Sequence, residues 1–384
     1  MKQLLSTALL AACISVTASA QNGLLPADTH ATPEMVHLYQ NMKRMAATGY
    51  FFGHQDALAY GVHWKYNKDS CDVKNVTGDH PAVYGWDLAG IESDQAKDLD
   101  GVPFKEQRKY IKQVYERGGI NTFSWHMPSP LGGGKNAWDT THNTVATILP
   151  GGENHELYKG WLDKAAAYIS TLKGSKGEPI PLLFRPFHEL TGNWFWWCRN
   201  TCSDIEFVTL WRFTIYYLRQ VKNLHNLLIV YNTSGGFETA DHFLARYPGD
   251  DMADALSFDT YQYDDPAKSD AFEKNCERDL AVIEKIANEK GKLFAIAETG
   301  YEQIPYARWW TDKLLKAIGD HKISYVLLWR NAGWNEYMKP PRMHYYVPYV
   351  GDVSAEDFKH FYALPQTFFQ QEATDAKLYQ PPVL

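Results

Sequence analysis

Short apolar or β-branched runs recur eight times along the chain, and longer segments with helical periodicity lie between them. The runs are Tyr50–His54, Ala82–Asp87, Ile120–His126, Pro181–Glu189, Leu227–Asn232, Ala255–Tyr261, Leu293–Glu298 and Ile323–Arg330. Between them, Phe104–Arg117 sets Phe104, Tyr110, Ile111, Val114 and Tyr115 among charges, and Glu156–Leu172, Ile205–Leu224, Asp270–Glu289 and Arg308–Ile318 are further helical segments. Strand–helix alternation of this kind predicts an α/β fold closed as an eightfold β/α (TIM) barrel. A doubly wound open sheet is the competing arrangement. No Gly-x-Gly-x-x-Gly turn follows a run, and Gly132-Gly133-Gly134-Lys135 lacks the spacing and hydroxyl of a triphosphate cradle, so nucleotide folds lose their fingerprints. No linker or repeat divides the chain, which predicts one catalytic domain over residues 21–384.

The first twenty residues change the setting. Lys2 precedes an apolar stretch from Leu4 to Val16 and then Ala18-Ser19-Ala20, the pattern of a signal peptide (residues 1–20) for a periplasmic or secreted protein. Leu10-Ala11-Ala12-Cys13 offers a competing lipoprotein reading, with Cys13 as a lipid anchor at the outer membrane. No other stretch is long enough for a transmembrane span. Four cysteines remain, Cys71, Cys198, Cys202 and Cys276. An even number permits two disulfides outside the cytoplasm, and the Cys198-x-x-x-Cys202 spacing suggests a local bridge, while zinc would want a second close pair of ligands.

Lys+Arg total 38 against 45 Asp+Glu, a formal charge of −7, so there is no positive field for nucleic acid or anionic lipid. The 13 Trp, 24 Tyr and 18 Phe exceed what a core needs and suit stacking on sugar rings, which points to carbohydrate. In a β/α barrel the working residues sit at the C-terminal strand ends. The runs end in His54 with Gln55-Asp56, Trp86-Asp87, Trp125-His126, His188-Glu189, Tyr231-Asn232, Asp259 with Tyr261, Glu298, and Trp329-Arg330-Asn331. Eight polar or aromatic endings favour a shared site.

Glu189 and Glu298 end strands four and seven, which face each other across a barrel. Glycoside hydrolysis needs such a pair: an acid for the leaving oxygen, and a carboxylate that attacks the anomeric carbon or activates water. A separation of about 5–5.5 Å makes the second carboxylate a nucleophile and retains configuration; a wider one inverts it. Trp194-Phe195-Trp196-Trp197 after Glu189 is expected to form an apolar roof that favours its protonated form. Glu298 is expected to face Tyr261 and Arg330 and stay ionised. Arg185, on the parity of Phe187 and Glu189, is expected beneath the site as a fixed positive charge or in a structural ion pair.

The segment Arg185-Pro186-Phe187-His188-Glu189-Leu190-Thr191-Gly192-Asn193-Trp194-Phe195-Trp196-Trp197 resembles the acid/base motif of glycoside hydrolase family 26, whose main members are β-mannanases. Ala297-Glu298-Thr299-Gly300-Tyr301 resembles that family's nucleophile strand, and Leu328-Trp329-Arg330-Asn331 its last strand. His54-Gln55 and Ser124-Trp125-His126 look like its first and third strand ends. The resemblance implies an eightfold barrel and a retaining double displacement on β-mannan or manno-oligosaccharides, with Glu189 as acid/base and Glu298 as nucleophile and no cofactor. It implies that His126, His188, Trp194, Tyr261, Trp329 and Arg330 line the subsites, and His54 is grouped with them. His188 before the acid, where related clan members have Asn, favours a mannose-handling site. Trp138 is a candidate platform for a more distant sugar.

Alternatives remain at this level. β-1,3-xylan and mixed-linkage β-glucan are further substrates of the same family. A non-catalytic mannan-binding protein would explain the aromatics but not two opposed glutamates. His54, His126 and His188 invite a metal reading, yet the first strand lacks His-x-His, so no metal is expected. Loops His63–Asp79 and Pro128–Gly152 are long enough to wall off part of a cleft and set internal cleavage against release of short products such as mannobiose.

Overall fold

The computed structural model describes residues 23–382. The leader and Cys13 lie outside the described residues. Eight parallel strands form the barrel: β1 Tyr50–Gln55, β2 Val83–Asp87, β3 Ile120–Ser124, β4 Leu182–Arg185, β5 Leu227–Ser234, β6 Ala255–Gln262, β7 Leu293–Tyr301 and β8 Tyr325–Leu328. Each pairs with the next, and β8 pairs with β1 from Phe51↔Tyr325 to His54↔Leu328, which closes the barrel. Helices Phe104–Glu116, His155–Ser170, Asp204–Tyr216 (continued to Val221 by a wider turn) and Ala271–Lys290 occupy the expected segments. The expected helix Arg308–Ile318 is a wide turn, Trp310–Leu314, followed by Leu315–Ile318.

Side-chain alternation sorts the strands into two cores. Phe51, Val83, Leu183, Leu228, Val230, Ala295, Tyr325 and Leu327 fill the barrel interior, and Phe52, Trp86, Phe123, Phe184, Ile229, Phe258, Ile296 and Val326 pack outward against the helices. The N-terminal end is plugged by helix Pro33–Ala46, capped by Thr32 and started by Pro33, whose Met35, Leu38, Tyr39 and Met42 join the interior core. Burying each of these side chains contributes roughly 1.5–3 kcal/mol. A short strand, Thr367–Phe368, pairs with β1 at the same end. The opposite end stays open.

Loop His63–Asp79 contains one strand of the hairpin Tyr60–Gly61/Trp64–Lys65 and helix Asp72–Thr77, while Pro128–Gly152 contains helix Thr144–Ile148. A second hairpin, Gly333–Asn335/Arg342–His344, follows β8. All four cysteines are free thiols, so the expected Cys198–Cys202 bridge is not formed. Instead the Cys198 thiol points to the Glu189 carbonyl and the Cys202 thiol to the Trp197 carbonyl. No helix among the described residues is long and apolar enough to cross a membrane.

Candidate active site

Two local irregularities aim the paired glutamates. The first ends β4. Alternation carries Leu183 and Arg185 inward, but the strand stops at Arg185, and Phe187 and Glu189 adopt left-handed conformations with φ of 50° and 54°. Shared parity therefore fails beyond Arg185: Phe187 packs outward on Trp196, Trp197, Phe207 and Trp211. Such residues cost on the order of 1–3 kcal/mol each and need support from their surroundings. Here the Glu189 amide donates to Asn232 Oδ1 at 2.9 Å and Trp197 Nε1 donates to the His188 carbonyl at 2.9 Å. Fully buried Arg246 also donates to the carbonyls of Leu190, Trp197 and Cys202.

The second irregularity is a bulge in β7. Ala295 pairs with Ser257 and Ile296 with Phe258, but the next partners are Asp259 and Glu298, so Ala297 is an extra residue. Strict alternation through Ala297 would turn Glu298 toward the helices, because Ile296 already faces outward, but the bulge absorbs the extra residue. With it, Glu298 faces inward beside Asp259.

Arg185 lies beneath both acids. Its Nη1 donates to Asp259 Oδ2 at 2.8 Å and to Asn232 Oδ1 at 3.2 Å, and its Nη2 donates to Glu298 Oε1. Tyr261 donates its hydroxyl to Glu298 Oε2 at 2.9 Å. Burial, then the Glu298 charge, pushes the Tyr261 phenol well above its usual range, so it remains a donor. The expected Arg330–Glu298 contact is absent: Arg330 Nε lies 3.0 Å from Asp100 and its Nη1 donates to the Tyr60 hydroxyl at 3.4 Å. Arg185 takes that role because it alone of the two arginines projects from a strand into the barrel axis.

Glu189 has different surroundings. Trp194 Nε1 donates to its Oε2 at 2.6 Å. Burial, then the Glu298 charge, pushes the Glu189 carboxyl up to about 7, against the opposing pull of that indole and of Arg185. Of the expected aromatic roof only Trp194 touches the carboxylate. Trp196 and Trp197 are fully buried in the outer layer and Phe195 stacks on Trp197 with ring centres 4.5 Å apart. Carboxylate oxygens of Glu189, Asp259 and Glu298 lie within 4.8 Å of one another. Arg185 already bridges two of these acids, so a fixed cation meets their charge.

On the neighbouring wall Asp87 Oδ2 bonds His126 Nδ1 at 2.6 Å, and His126 Nε2 lies 3.0 Å from His188 Nε2. Burial works against a charged His126, yet Asp87 raises its pKa overall; burial, His126 and Arg185 lower that of His188 well below the usual imidazole range. A protonated His126 donating to a neutral His188 satisfies the pair. Trp138 stacks on the His126 ring at 5.3 Å and 17°, closer to the centre than a distant sugar platform, and the Trp329 ring lies 6.3 Å from His126. His54 does not join them. It pairs with Tyr84 and Leu328, residues of the outer core, so it faces away from the barrel axis, and burial keeps it neutral by lowering its pKa to about 3. The three histidines therefore do not converge.

Asn232 was only a strand ending in the sequence, but its Oδ1 takes the Glu189 amide and Arg185, and its Nδ2 donates to Ser257 and Asp259 at 2.9 and 2.8 Å. Its inward parity on β5, beside Val230, was the available signal. Asp100 had none, since it lies in the irregular loop after β2.

The arrangement brings a protonated acid and a cation-supported carboxylate to one opening, which suits acid-assisted displacement at a sugar carbon. Comparison with known proteins agrees in kind. The sequence profile described as glycosyl hydrolase family 26 matches residues 27–331. A mannan endo-1,4-beta-mannosidase of Bifidobacterium adolescentis is 31% identical over 366 residues, covering 90% of this chain and 35% of that protein. Mannan endo-1,4-beta-mannosidase A and B of Caldalkalibacillus mannanilyticus is 24% identical over 317 residues, covering 78% of this chain and 55% of that protein. The chain thus spans about a third and about half of the length of these two relatives. Among solved structures, a GH26 beta-mannanase from Bacteroides ovatus has a TM-score of 0.85 at 40% identity, covering 91% of this chain and 98% of that one. A modular endo-beta-1,4-mannanase from Cellulomonas fimi has a TM-score of 0.83 at 34% identity, covering 94% and 80%. The chain belongs to glycosyl hydrolase family 26.

Proposed function

We propose that the protein hydrolyses β-1,4-mannosidic linkages in mannan, galactomannan or manno-oligosaccharides with retention of configuration. The observation that carries this reading is the approach of Glu189 and Glu298 oxygens to within 4.8 Å, with Glu189 raised to about 7 and Glu298 held by Arg185 and Tyr261. That spacing suits a covalent intermediate, because it leaves no room for a water between carboxylate and sugar. The beta-mannanases among its relatives support mannan as the substrate.

In the first step Glu298 attacks the anomeric carbon while the Glu189 proton passes to the departing glycosidic oxygen. The C–O bond to the leaving sugar breaks and a mannosyl ester of Glu298 forms. Glu189, now ionised, takes a proton from water; the hydroxyl attacks the same carbon, and the ester bond breaks to regenerate Glu298. Tyr261 and Arg185 orient Glu298 before attack. Trp194 and Glu189 face the leaving group, while His126, His188, Trp329 and Arg330 line the sugar that is attacked.

The test is Glu298→Ala with an activated β-mannoside and azide. An α-configured mannosyl azide is the expected product; full hydrolysis without azide would overturn the role of Glu298. Export directed by residues 1–20 belongs to the same proposal, with Cys13 acylation as its competitor. The mass of the mature N-terminus from expressing cells separates a chain starting at Gln21 from a lipidated Cys13.

A further inference from the structure

Asp87 ends β2 on the inward parity of Val83, fully buried, and takes no step in the reaction at Glu189 and Glu298. A carboxylate in such a place is costly unless its oxygens are met by donors. Its Oδ1 accepts from the amides of Ala89 and His126 at 2.7 and 3.2 Å, and its Oδ2 accepts from the Ser124 hydroxyl at 2.7 Å and from His126 Nδ1 at 2.6 Å. The two oxygens have separate tasks. Oδ1 fastens the turn after β2 to the end of β3, which an asparagine oxygen would do equally well. Only Oδ2, facing a ring nitrogen, calls for a charge. Burial would raise the Asp87 carboxyl, but the His126 charge and these hydrogen bonds hold it at about 2.

His126 is the group that feels this charge. Its Nδ1–H goes to Asp87, and its Nε2 lies 3.0 Å from His188 Nε2, so one proton must lie between those two nitrogens. Burial opposes a charged His126 and Asp87 outweighs it, so the ring holds both protons and donates from Nε2. Burial, then His126 and Arg185, keep His188 neutral, with its single proton on Nδ1. The other charged groups facing His126 are Glu298, Asp100 and Glu189, all acidic. Trp138, Phe195 and Trp329 cover the ring at 5.3, 5.5 and 6.3 Å between centres and keep water from weakening the charge.

A cation on this wall acts on Glu189, because His188 immediately precedes that acid in the chain. Glu189 faces Glu298, Asp259, the Tyr261 and Tyr263 phenols and the Cys198 thiol. Against them stand Arg185 and His126. Burial and Glu298 push the Glu189 carboxyl up, and Trp194, Arg185 and His126 pull it back, so that it stands at about 7. That balance matters for a group with two tasks. It must hold a proton for the leaving oxygen in the first step and lack one to draw a proton from water in the second. An acid raised without limit would serve the first step and fail the second.

We infer that Asp87 is a positioning residue for the reaction: by holding the Nδ1 proton of His126 it fixes a second cation beside Glu189, and that cation keeps Glu189 able to release its proton and serve as the base of the second step. The inference rests on the reaction proposed above. It gives β2, which supplies neither glutamate, control over the pH range in which both steps run.

The test is Asp87→Asn. The two backbone amides require the side-chain oxygen, so the NH2 group replaces Oδ2 and donates to His126 Nδ1. The ring then keeps one proton, on Nε2, and still bonds His188, so the charge is removed while the chain of hydrogen bonds is preserved. With that cation gone the alkaline fall of kcat/KM should move to higher pH. On a dinitrophenyl mannobioside, where the second step limits, kcat at about pH 6 should drop roughly threefold to tenfold. A purely structural role would lower activity without moving the alkaline fall. A variant that is folded by circular dichroism and whose alkaline fall stays in place or moves down would overturn the inference. Nitrogen NMR of histidine-labelled wild type supplies a test that needs no folded Asp87 variant, with each ring identified by its loss in His126→Gln and His188→Gln. At about pH 6 His126 should be protonated on both nitrogens and His188 on Nδ1 alone. A neutral His126, or a His188 protonated on Nε2, would overturn the inference and leave the proposed reaction standing. A wild type that releases no reducing ends from mannohexaose would overturn the reaction, and the positioning role with it, whatever the spectra show.

Discussion

The two glutamates share one opening but have opposite surroundings. Glu298 receives hydrogen bonds from a guanidinium and a phenol, each anchored on its own strand. Glu189 receives one indole N–H, stands in a buried setting and faces another carboxylate nearby. The first setting stabilises a negative oxygen and the second a neutral one. Chemically identical side chains are thus differentiated by what the barrel places within hydrogen-bond reach, and the proposed division of labour between nucleophile and acid rests on these neighbours.

Removing either member tests the division most severely. Glu298→Gln is expected to lower kcat on mannan on the order of 10⁵-fold, because no covalent intermediate forms. Glu189→Gln should lower it roughly 10²–10⁴-fold on mannan but much less in the first step on a dinitrophenyl mannoside, whose leaving group needs no proton. Pre-steady-state burst kinetics reads that contrast, and equal losses on both substrates would break the assignment. Arg185→Met, which strips the cation from two buried acids, should destabilise the fold by roughly 3–5 kcal/mol at neutral pH. Thermal unfolding should show a smaller loss in acid, because burial holds the Asp259 carboxyl well above its usual range and it is neutralised there.

The finest test is titration. Glu189 donates only while protonated, so kcat/KM should fall as pH rises through about 7. In Glu298→Gln the neighbouring charge is gone, so the Glu189 carboxyl should titrate at lower pH, read by carbon NMR of the labelled side chain. Burial precedes that charge as the cause of the raised value, so the carboxyl should still titrate above an ordinary glutamate. A fall to the ordinary value would assign the whole effect to charge.

The fold was legible because periodicity is a local property: each of the eight strands overlaps its run, and β2, β6 and β7 differ mainly at their ends. The run Pro181–Glu189 overshot because an apolar pattern continues through Phe187 while the backbone turns left-handed there. Glu189 and Glu298 were legible as the endings of their apolar runs, although β4 stops at Arg185 and β7 continues to Tyr301. Their partners were less so, since the identity of Arg185 rather than Arg330 as the cation depends on register between strands and on the β7 bulge. His54 was misplaced for a related reason: strand-end position alone does not say which side of the pleat a residue occupies. The disulfide expectation rested on spacing, but Cys198 and Cys202 turn toward different carbonyls.

The extra residue at Ala297 carries one more consequence. Regular pairing through that alanine would rotate the acidic group from the mouth into the helical shell, whereas deleting the alanine would keep the group on the mouth side by plain alternation and relax the local twist. The aim of the carboxylate thus depends on how the seventh strand pairs, and not on the identity of the glutamate alone. A substitution that regularised this ladder would therefore matter more than its size or polarity suggests.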